Sequence, residues 1–230
     1  MAPVLLGYWD VRGLANPIRY MLEHAGVEYE EKLYTCGGPP EFDRSQRFED
    51  KQTNPLGLDF PNLPYLIDGN IKLTQSHVIM RHLARKHNLA GDNEVERARA
   101  DLLATQIFDY HMVDFVKVCY NPDFLNLVGD YKKAMPAKLE LVVKFLGSNK
   151  FVVGDKVTYA DFVLFEFLEG QLVVDPDLLK DFPVLEEYRK RVLAVKGVDK
   201  YFKSPNAIKY PFNGAPAYVG GAYSEQLTKK

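Results

Sequence analysis

The sequence predicts an α/β N-terminal domain, βαβ then ββα on a mixed four-stranded sheet, followed by an all-α C-terminal domain. Three observations carry this. Short apolar runs alternate with helix-period segments up to Lys86. The stretch from Leu56 to Ser76 reads as loop, strand, tight turn, strand and helix start. From Glu94 onward the chain turns helical. The expected division is therefore residues 1–86, a polar linker at 87–93 containing the breaker Gly91, and residues 94–230.

Val4 to Leu6 is a short apolar strand with Tyr8-Trp9 at its end and a turn at Arg12-Gly13. A helix from about Leu14 to Ala25 sets Leu14, Ile18, Met21, Leu22 and Ala25 on one face. Pro17 falls in its first turn, where a missing N–H costs little, and Gly26 is a stop signal. Tyr29 to Tyr34 is the second strand, so strand–helix–strand implies a parallel pair with a right-handed crossover. Thr35 to Pro55 reads as one long irregular stretch, a length usually tied to function or mobility. Tyr65–Asp68 and Ile71–Thr74 form a hairpin around Asp68-Gly69-Asn70, and Gln75-Ser76 opens a helix.

In the second half, Glu94 to about Cys119 is predicted as one long helix, stopped by Asn121-Pro122. Further helices are expected at Pro122–Gly129, Met135–Leu146, Tyr159–Leu172, Asp177–Lys180 and Val184–Lys196. Thr158 is placed to cap the Tyr159 helix, with Asp161 answering at its third position.

Composition narrows the function classes. With 230 residues, 47% hydrophobic and 26% charged, the chain has enough material for two modest cores. A net charge of −2 gives no electrostatic case for nucleic acid or an anionic membrane. Cys36 and Cys119 are too few and too unpatterned for a disulfide scaffold or a metal site, which suits a reducing, cytoplasmic setting. The first residues lack the basic and apolar regions of a signal peptide, and Glu166, Glu169 and Gln171 interrupt the Phe162–Val174 run, so no membrane span is expected.

The residues around Pro64 suggest a ligand. If the Leu63–Pro64 bond is cis, Leu63 turns its N–H and C=O outward, where an extended peptide can pair. The free N–H groups at the Ser76 helix start attract a carboxylate. Such an edge beside an anion pocket suits a small acidic peptide. The spacing alone is equally that of an ordinary hairpin with a structural proline.

Two longer motifs carry a resemblance. Leu58-Asp59-Phe60-Pro61-Asn62-Leu63-Pro64-Tyr65 with Leu73-Thr74-Gln75-Ser76, and Gly7-Tyr8-Trp9-Asp10-Val11-Arg12-Gly13-Leu14, resemble the glutathione-site segments of cytosolic glutathione S-transferases, the mu class above all. The likeness covers nearly the whole chain and weakens after about Pro205; the tail from there onward is expected to cover the pocket, with no match that fixes its residues. It implies a thioredoxin-like first domain and a homodimeric transferase that joins the glutathione thiolate to electrophilic apolar compounds, with glutathione as co-substrate and no further cofactor or metal. Tyr8 then stabilises the thiolate. Trp9, Leu14, Arg44, Lys51, Asn62, Leu63, Gln75 and Ser76 surround glutathione, and Asp109 reaches it from the other subunit. Val11, Phe108, His111, Met112 and Tyr120 are implied at the electrophile. Phe60, as a wedge into the partner, and Arg81 are implied at the dimer interface.

The chain departs from the mu pattern in three places. Arg47 stands where that class usually has tryptophan, and is open to a role as a second charge on the ligand's glycine carboxylate. The Lys51–Gly57 stretch is two residues longer. Asp109 to Tyr120 is one residue longer, which turns Tyr120 by about 100° unless a π-bulge absorbs it. Two other functions remain in view. A ligand-sequestering protein on the same fold is opposed by Tyr8, Gln75 and Ser76. A thiol–disulfide oxidoreductase wants Cys-x-x-Cys where this chain has Tyr8-Trp9-Asp10-Val11.

Overall fold

The computed structural model describes residues 3–228, so Met1, Ala2, Lys229 and Lys230 of the expected domains lie outside the described residues. Strand β1 (Val4–Trp9) pairs in parallel with β2 (Tyr29–Tyr34), Val4 facing Tyr29 and Trp9 facing Tyr34. Between them runs helix α1 (Asn16–Ala25), which starts two residues later than the periodicity predicts. The antiparallel hairpin of β3 (Tyr65–Asp68) and β4 (Ile71–Thr74) adds to the other edge of β1, giving the order β2-β1-β3-β4. Gly7 must be glycine here, because a Cβ would lie 2.1 Å from the Tyr65 ring. The Leu63–Pro64 bond ahead of β3 is cis.

The Thr35–Pro55 stretch is not wholly irregular. It contains helix α2 (Ser45–Thr53), a polar helix that buries only Arg47 and so lacks the apolar stripe that reveals a helix in sequence. Helix α3 (Ser76–Lys86) follows β4 and packs Ile79, Met80 and Leu83 into the core with Ile18 and Leu22 of α1.

The helical half begins with α4 (Glu94–Asp109), whose N-cap Asn93 accepts from the Glu96 N–H at 3.0 Å. Instead of a regular helix to Cys119, a π-helical segment spans Tyr110–Phe115 before α5 (Val116–Cys119). The two helices expected on either side of residues 130–134 are one, α6 (Phe124–Leu146), running through Pro136. Tyr131, Met135, Leu139, Val142 and Leu146 make a continuous buried stripe, and its burial outweighs the one backbone bond that proline forfeits.

Helix α7 (Tyr159–Val174) is the centre of this half, buried on nearly every side. Asp161, fully buried, accepts from the Thr158 N–H (2.7 Å) and hydroxyl (3.0 Å), the Val152 N–H (2.8 Å) and the Tyr188 hydroxyl (2.7 Å), so it ties three segments together as well as answering the cap. The expected short helix is a 3-10 turn at Leu178–Asp181. Next come α8 (Pro183–Leu193) and α9 (Lys196–Lys203), so Lys196 opens a helix rather than closing one. The tail ends in the short α10 (Ser224–Thr228). No described helix is long and apolar enough to cross a membrane.

Candidate active site

Tyr8 sits where β1 ends, 7% exposed. The chain then turns at Gly13, whose φ of +41 suits glycine and whose missing side chain leaves room for the phenol: a Cβ there would lie 2.7 Å from Tyr8 Oη. The turn brings the Leu14 N–H to donate to that oxygen at 3.1 Å. Burial raises the Tyr8 pKa, opposed by the Leu14 bond and the Arg19 charge, so the phenol keeps its proton at neutral pH. With one lone pair already occupied by Leu14, that proton remains to be donated.

Above Tyr8 lies a cavity of about 550 Å³. Its walls come from the β1–α1 turn (Trp9, Val11, Leu14), the π segment and α5 (His111, Met112, Val116), the loop after β2 (Cys36, Arg44) and the C-terminal tail. Tyr120 lines it too. The π segment between Asp109 and Tyr120 absorbs the extra residue, and Tyr120 Oη accepts from the Gly214 N–H at 2.7 Å. His111 stacks on Phe115 at 5.1 Å, and burial pushes its pKa down to about 4, so it is neutral here. Phe108 is not on this cavity. It packs edge-on to His77 at 4.5 Å, beside a much smaller void, because the π segment begins after it and changes the face that follows.

The other predicted site residues are distributed around the sheet edge. Neither the N–H nor the C=O of Leu63 is bonded to a described residue. Asn62 is exposed next to it, and Leu63 itself packs against the cluster of Tyr8, Val11 and Ala15. Gln75 holds φ +72 as it turns the chain into α3, and Ser76 is buried at the first position of that helix. Arg44 reaches the cavity wall, whereas Lys51 is exposed on α2. Arg47 is 7% exposed, its guanidinium 5.9 Å from the Tyr34 ring centre and close enough to help hold Asp50 below its usual range, after the larger effects of Lys32 and Tyr34. It fills space between α2 and the sheet.

Asp109 is exposed at the end of α4. Arg81 pairs with Asp101 at 3.1 Å and donates to Thr105 Oγ1 at 3.1 Å, linking α3 to α4 of its own chain. Phe60 is 77% exposed and belongs to no local core. Both cysteines have their thiol pKa raised by burial, Cys119 to about 12, the opposite of an activated thiol. Among the described residues no group of three His, Cys, Asp or Glu is placed to hold a metal.

The sequence places the tail beyond Pro205 over the pocket but singles out none of its residues. Pro211, Asn213–Pro216, Ala222 and Tyr223 line the cavity, yet this segment has no periodicity beyond clustered Gly, Pro and aromatic residues.

Comparison with known proteins agrees with the resemblance. Residues 4–85 match the family model of the glutathione S-transferase N-terminal domain, and residues 115–205 that of the C-terminal domain. The chain is 48% identical over 209 residues to glutathione S-transferase Mu 1 of Oryctolagus cuniculus, and 46% identical to Mu 2 of Homo sapiens. Each alignment covers 91% of this chain and 94% of the relative. Among solved structures, a pi-class glutathione S-transferase of Onchocerca volvulus superposes with a TM-score of 0.82 at 30% identity, over 94% of this chain and all of that one. The glutathione S-transferase Blo t 8 gives 0.84 at 30% identity, over 94% of this chain and 99% of that one.

Proposed function

The chain belongs to the glutathione S-transferase family, and on that premise we propose that Tyr8 is the residue that holds the glutathione sulfur as a thiolate for attack on an apolar electrophile. The observation that carries this is the phenol itself: its oxygen accepts from Leu14, and the residue lines the cavity with its own proton still to donate. A free cysteine thiol has a pKa near 8.5, so only a few per cent is thiolate at pH 7. A charge-assisted bond from Tyr8 that lowers it by about two units supplies roughly 2.7 kcal/mol. The thiol proton leaves to solvent, the thiolate forms the carbon–sulfur bond, and a leaving group departs or a conjugate adduct forms.

The tripeptide's other groups have partners around that sulfur. The unpaired Leu63 backbone suits the cysteinyl unit, with Asn62 beside it. Gln75 and Ser76 offer the helix start to the γ-glutamyl carboxylate. Trp9, Arg44 and Lys51 supply contacts for the glycine carboxylate, and Val11, His111, Met112 and Tyr120 form the apolar side. A homodimer supported by the exposed Phe60 would bring Asp109 of a second copy to the ligand's ammonium. Two unpaired thiols suit a cytoplasmic location.

Conjugation of glutathione to a generic aryl halide tests the role of Tyr8. At pH 7, Tyr8→Phe lowers kcat/KM by about 25-fold, since a thiol of pKa about 6.5 is roughly three-quarters ionised there and one of about 8.5 roughly 3%. The deficit shrinks as pH rises above about 6.5 and has nearly closed by about pH 9, where the thiol ionises unaided. Equal activity of the two proteins at pH 7 removes Tyr8 from this role.

A further inference from the structure

Two buried arginines flank the turn that follows β1. Arg12 pairs with Glu166 across the two halves of the protein. Arg19, on α1, has a side chain with no exposure at all, and its donors point in two directions. Nε and Nη2 donate to Glu31 Oε1 on β2 at 2.7 and 2.5 Å. Nη1 donates to Val11 O and to Asn16 Oδ1, both at 2.8 Å. Asn16 is itself held, accepting from the Tyr201 hydroxyl at 3.2 Å and donating to Tyr20 Oη at 3.1 Å.

The Val11 carbonyl belongs to the peptide unit whose N–H is that of Arg12, and this N–H donates to Pro211 O at 3.0 Å. One peptide is therefore held at both ends, from the interior by Arg19 and from the tail by Pro211. Val11 shares a buried cluster with Tyr8, and three residues after it Leu14 N–H donates to Tyr8 Oη. A neutral side chain could supply a donor to Val11 O. A guanidinium adds a charge, which is costly to keep dry unless it is paired. The pairing with Glu31 leaves part of its field free. Burial raises the Tyr8 pKa, and the Leu14 bond and the Arg19 charge oppose it, whereas no comparable effect of Glu31 reaches the phenol. A thiolate formed beside that hydroxyl meets the same field, from a cation already in place before the reaction.

We propose that Arg19 is a positioning residue for the thiolate step, fixing from the interior the turn that serves Tyr8 and keeping a permanent positive charge behind the phenol. This rests on the reading of Tyr8 as the residue that holds the glutathione sulfur. The charged and titratable groups facing the guanidinium are Glu31 and Tyr29 of β2 and Tyr201 of α9. Burial raises the pKa of both tyrosines, so they stay neutral at pH 7 and the charge on this side of the turn is the Arg19–Glu31 pair.

The ultraviolet absorbance of the thiolate, followed against pH with glutathione bound and no electrophile present, reads the acidity of the bound thiol. Two neutral pairs, Arg19→Gln with Glu31→Gln and Arg19→Met with Glu31→Gln, guard against failure of either to fold. In each the thiol pKa rises by about one unit, and kcat/KM at pH 7 falls about threefold. The Met pair, which also loses the donor to Val11 O, shifts at least as far. Arg19→Lys keeps the charge and recovers most of the shift. Glu31→Gln alone leaves the thiol pKa at or below the wild-type value. Calorimetry with S-methylglutathione, which has no thiol to ionise, gives the wild-type Kd throughout. An unmoved thiol pKa in the neutral pairs, an equal rise in Glu31→Gln, or a loss of S-methylglutathione affinity as large as the loss of activity overturns the proposal. Tyr8→Phe, measured alongside, separates the two readings. If it shifts the thiol pKa and the Arg19 variants do not, Arg19 alone is set aside; if it leaves the thiol pKa at the wild-type value, the role of Tyr8 falls as well.

Discussion

Replacing Gly13 by alanine damages the site while Tyr8 itself stays unsubstituted. The added methyl would stand 2.7 Å from Tyr8 Oη and 3.0 Å from a ring carbon, against an ordinary contact of at least 3.4 Å. The ring must therefore retreat by roughly 0.7 Å or the turn must open, and either movement strains the Leu14 N–H bond to Oη. Holding alanine at φ +41 costs about 1–2 kcal/mol, and the overpacking another 1–3. The sum, about 2–5 kcal/mol, lowers Tm by at least 4 °C or so in a chain of this size. A shift of about 1 Å in a catalytic group costs roughly 100-fold, so kcat/KM with glutathione and an aryl halide falls by about that factor. Gly26→Ala is the matched control. It carries a similar backbone cost at φ +69, but nothing lies within 4 Å of its Cβ. It loses stability and keeps its activity per folded molecule. If Gly13→Ala turns over at the wild-type rate, or if Gly26→Ala loses as much, the close approach to Tyr8 does not govern catalysis.

Two further outcomes concern the helical half and its outer surface. Burial pushes the Asp161 carboxyl up to about 6, above the roughly 3.9 of an unfolded chain, so its contribution to stability is complete below pH 4 and is lost as pH rises through 6. Urea unfolding of wild type and Asp161→Asn across pH 4–7 should show the wild-type advantage shrinking over that window; a constant difference contradicts it. Phe60→Ser removes the most exposed large apolar side chain among the described residues, and sedimentation at low micromolar concentration should shift toward monomer. A variant that sediments as wild type shows that Phe60 does not hold two copies together.

The sheet was legible because its strands are short, bounded by turn residues and apolar where they are buried. Tyr29–Tyr34, Tyr65–Asp68 and Ile71–Thr74 fall where the pattern puts them. Helix α2 was not, since a polar helix with one buried arginine leaves no stripe to read. Helix α6 is the opposite case: the pattern interrupts it at residues 130–134, yet a continuous buried face runs through them. The π segment lay between these cases. An extra residue ahead of Tyr120 raised the need for it, but only packing around Phe115 shows where the ladder widens. Around the candidate site, residues in contiguous motifs, such as Tyr8 through Leu14, could be picked from sequence. The tail was expected over the pocket, but the residues of its wall could not be picked, because their position depends on backbone bonds to Arg12, Gly13 and Cys119, which are distant in sequence.

Those distant bonds also connect the two halves through charge. Arg12, one residue before the Gly13 turn, donates from Nε and Nη2 to both oxygens of Glu166 on α7, at 3.0 and 2.8 Å, and Tyr20 Oη donates to the same carboxylate at 2.8 Å. The guanidinium lies 5.0 Å from the Phe212 ring centre, away from water. Breaking such a pair from one side leaves a buried charge, so Glu166→Gln costs about 3–5 kcal/mol, with Glu169 at 3.5 Å as the only remaining carboxylate near Arg12 Nη2 among the described residues. Removing both charges is different. Arg12→Met with Glu166→Gln keeps an acceptor for Tyr20 and leaves no orphaned ion, so stability should return to within about 1 kcal/mol of wild type. Activity should return with it, because the turn is hung from Pro211 and Phe212 by backbone N–H groups that the double variant retains. Unfolding free energies and kcat/KM for the three proteins decide the matter. A double variant as unstable as the single one means that the pair is a net source of stability. A stable double variant that stays inactive means that the Arg12 side chain itself orients the turn beside Tyr8.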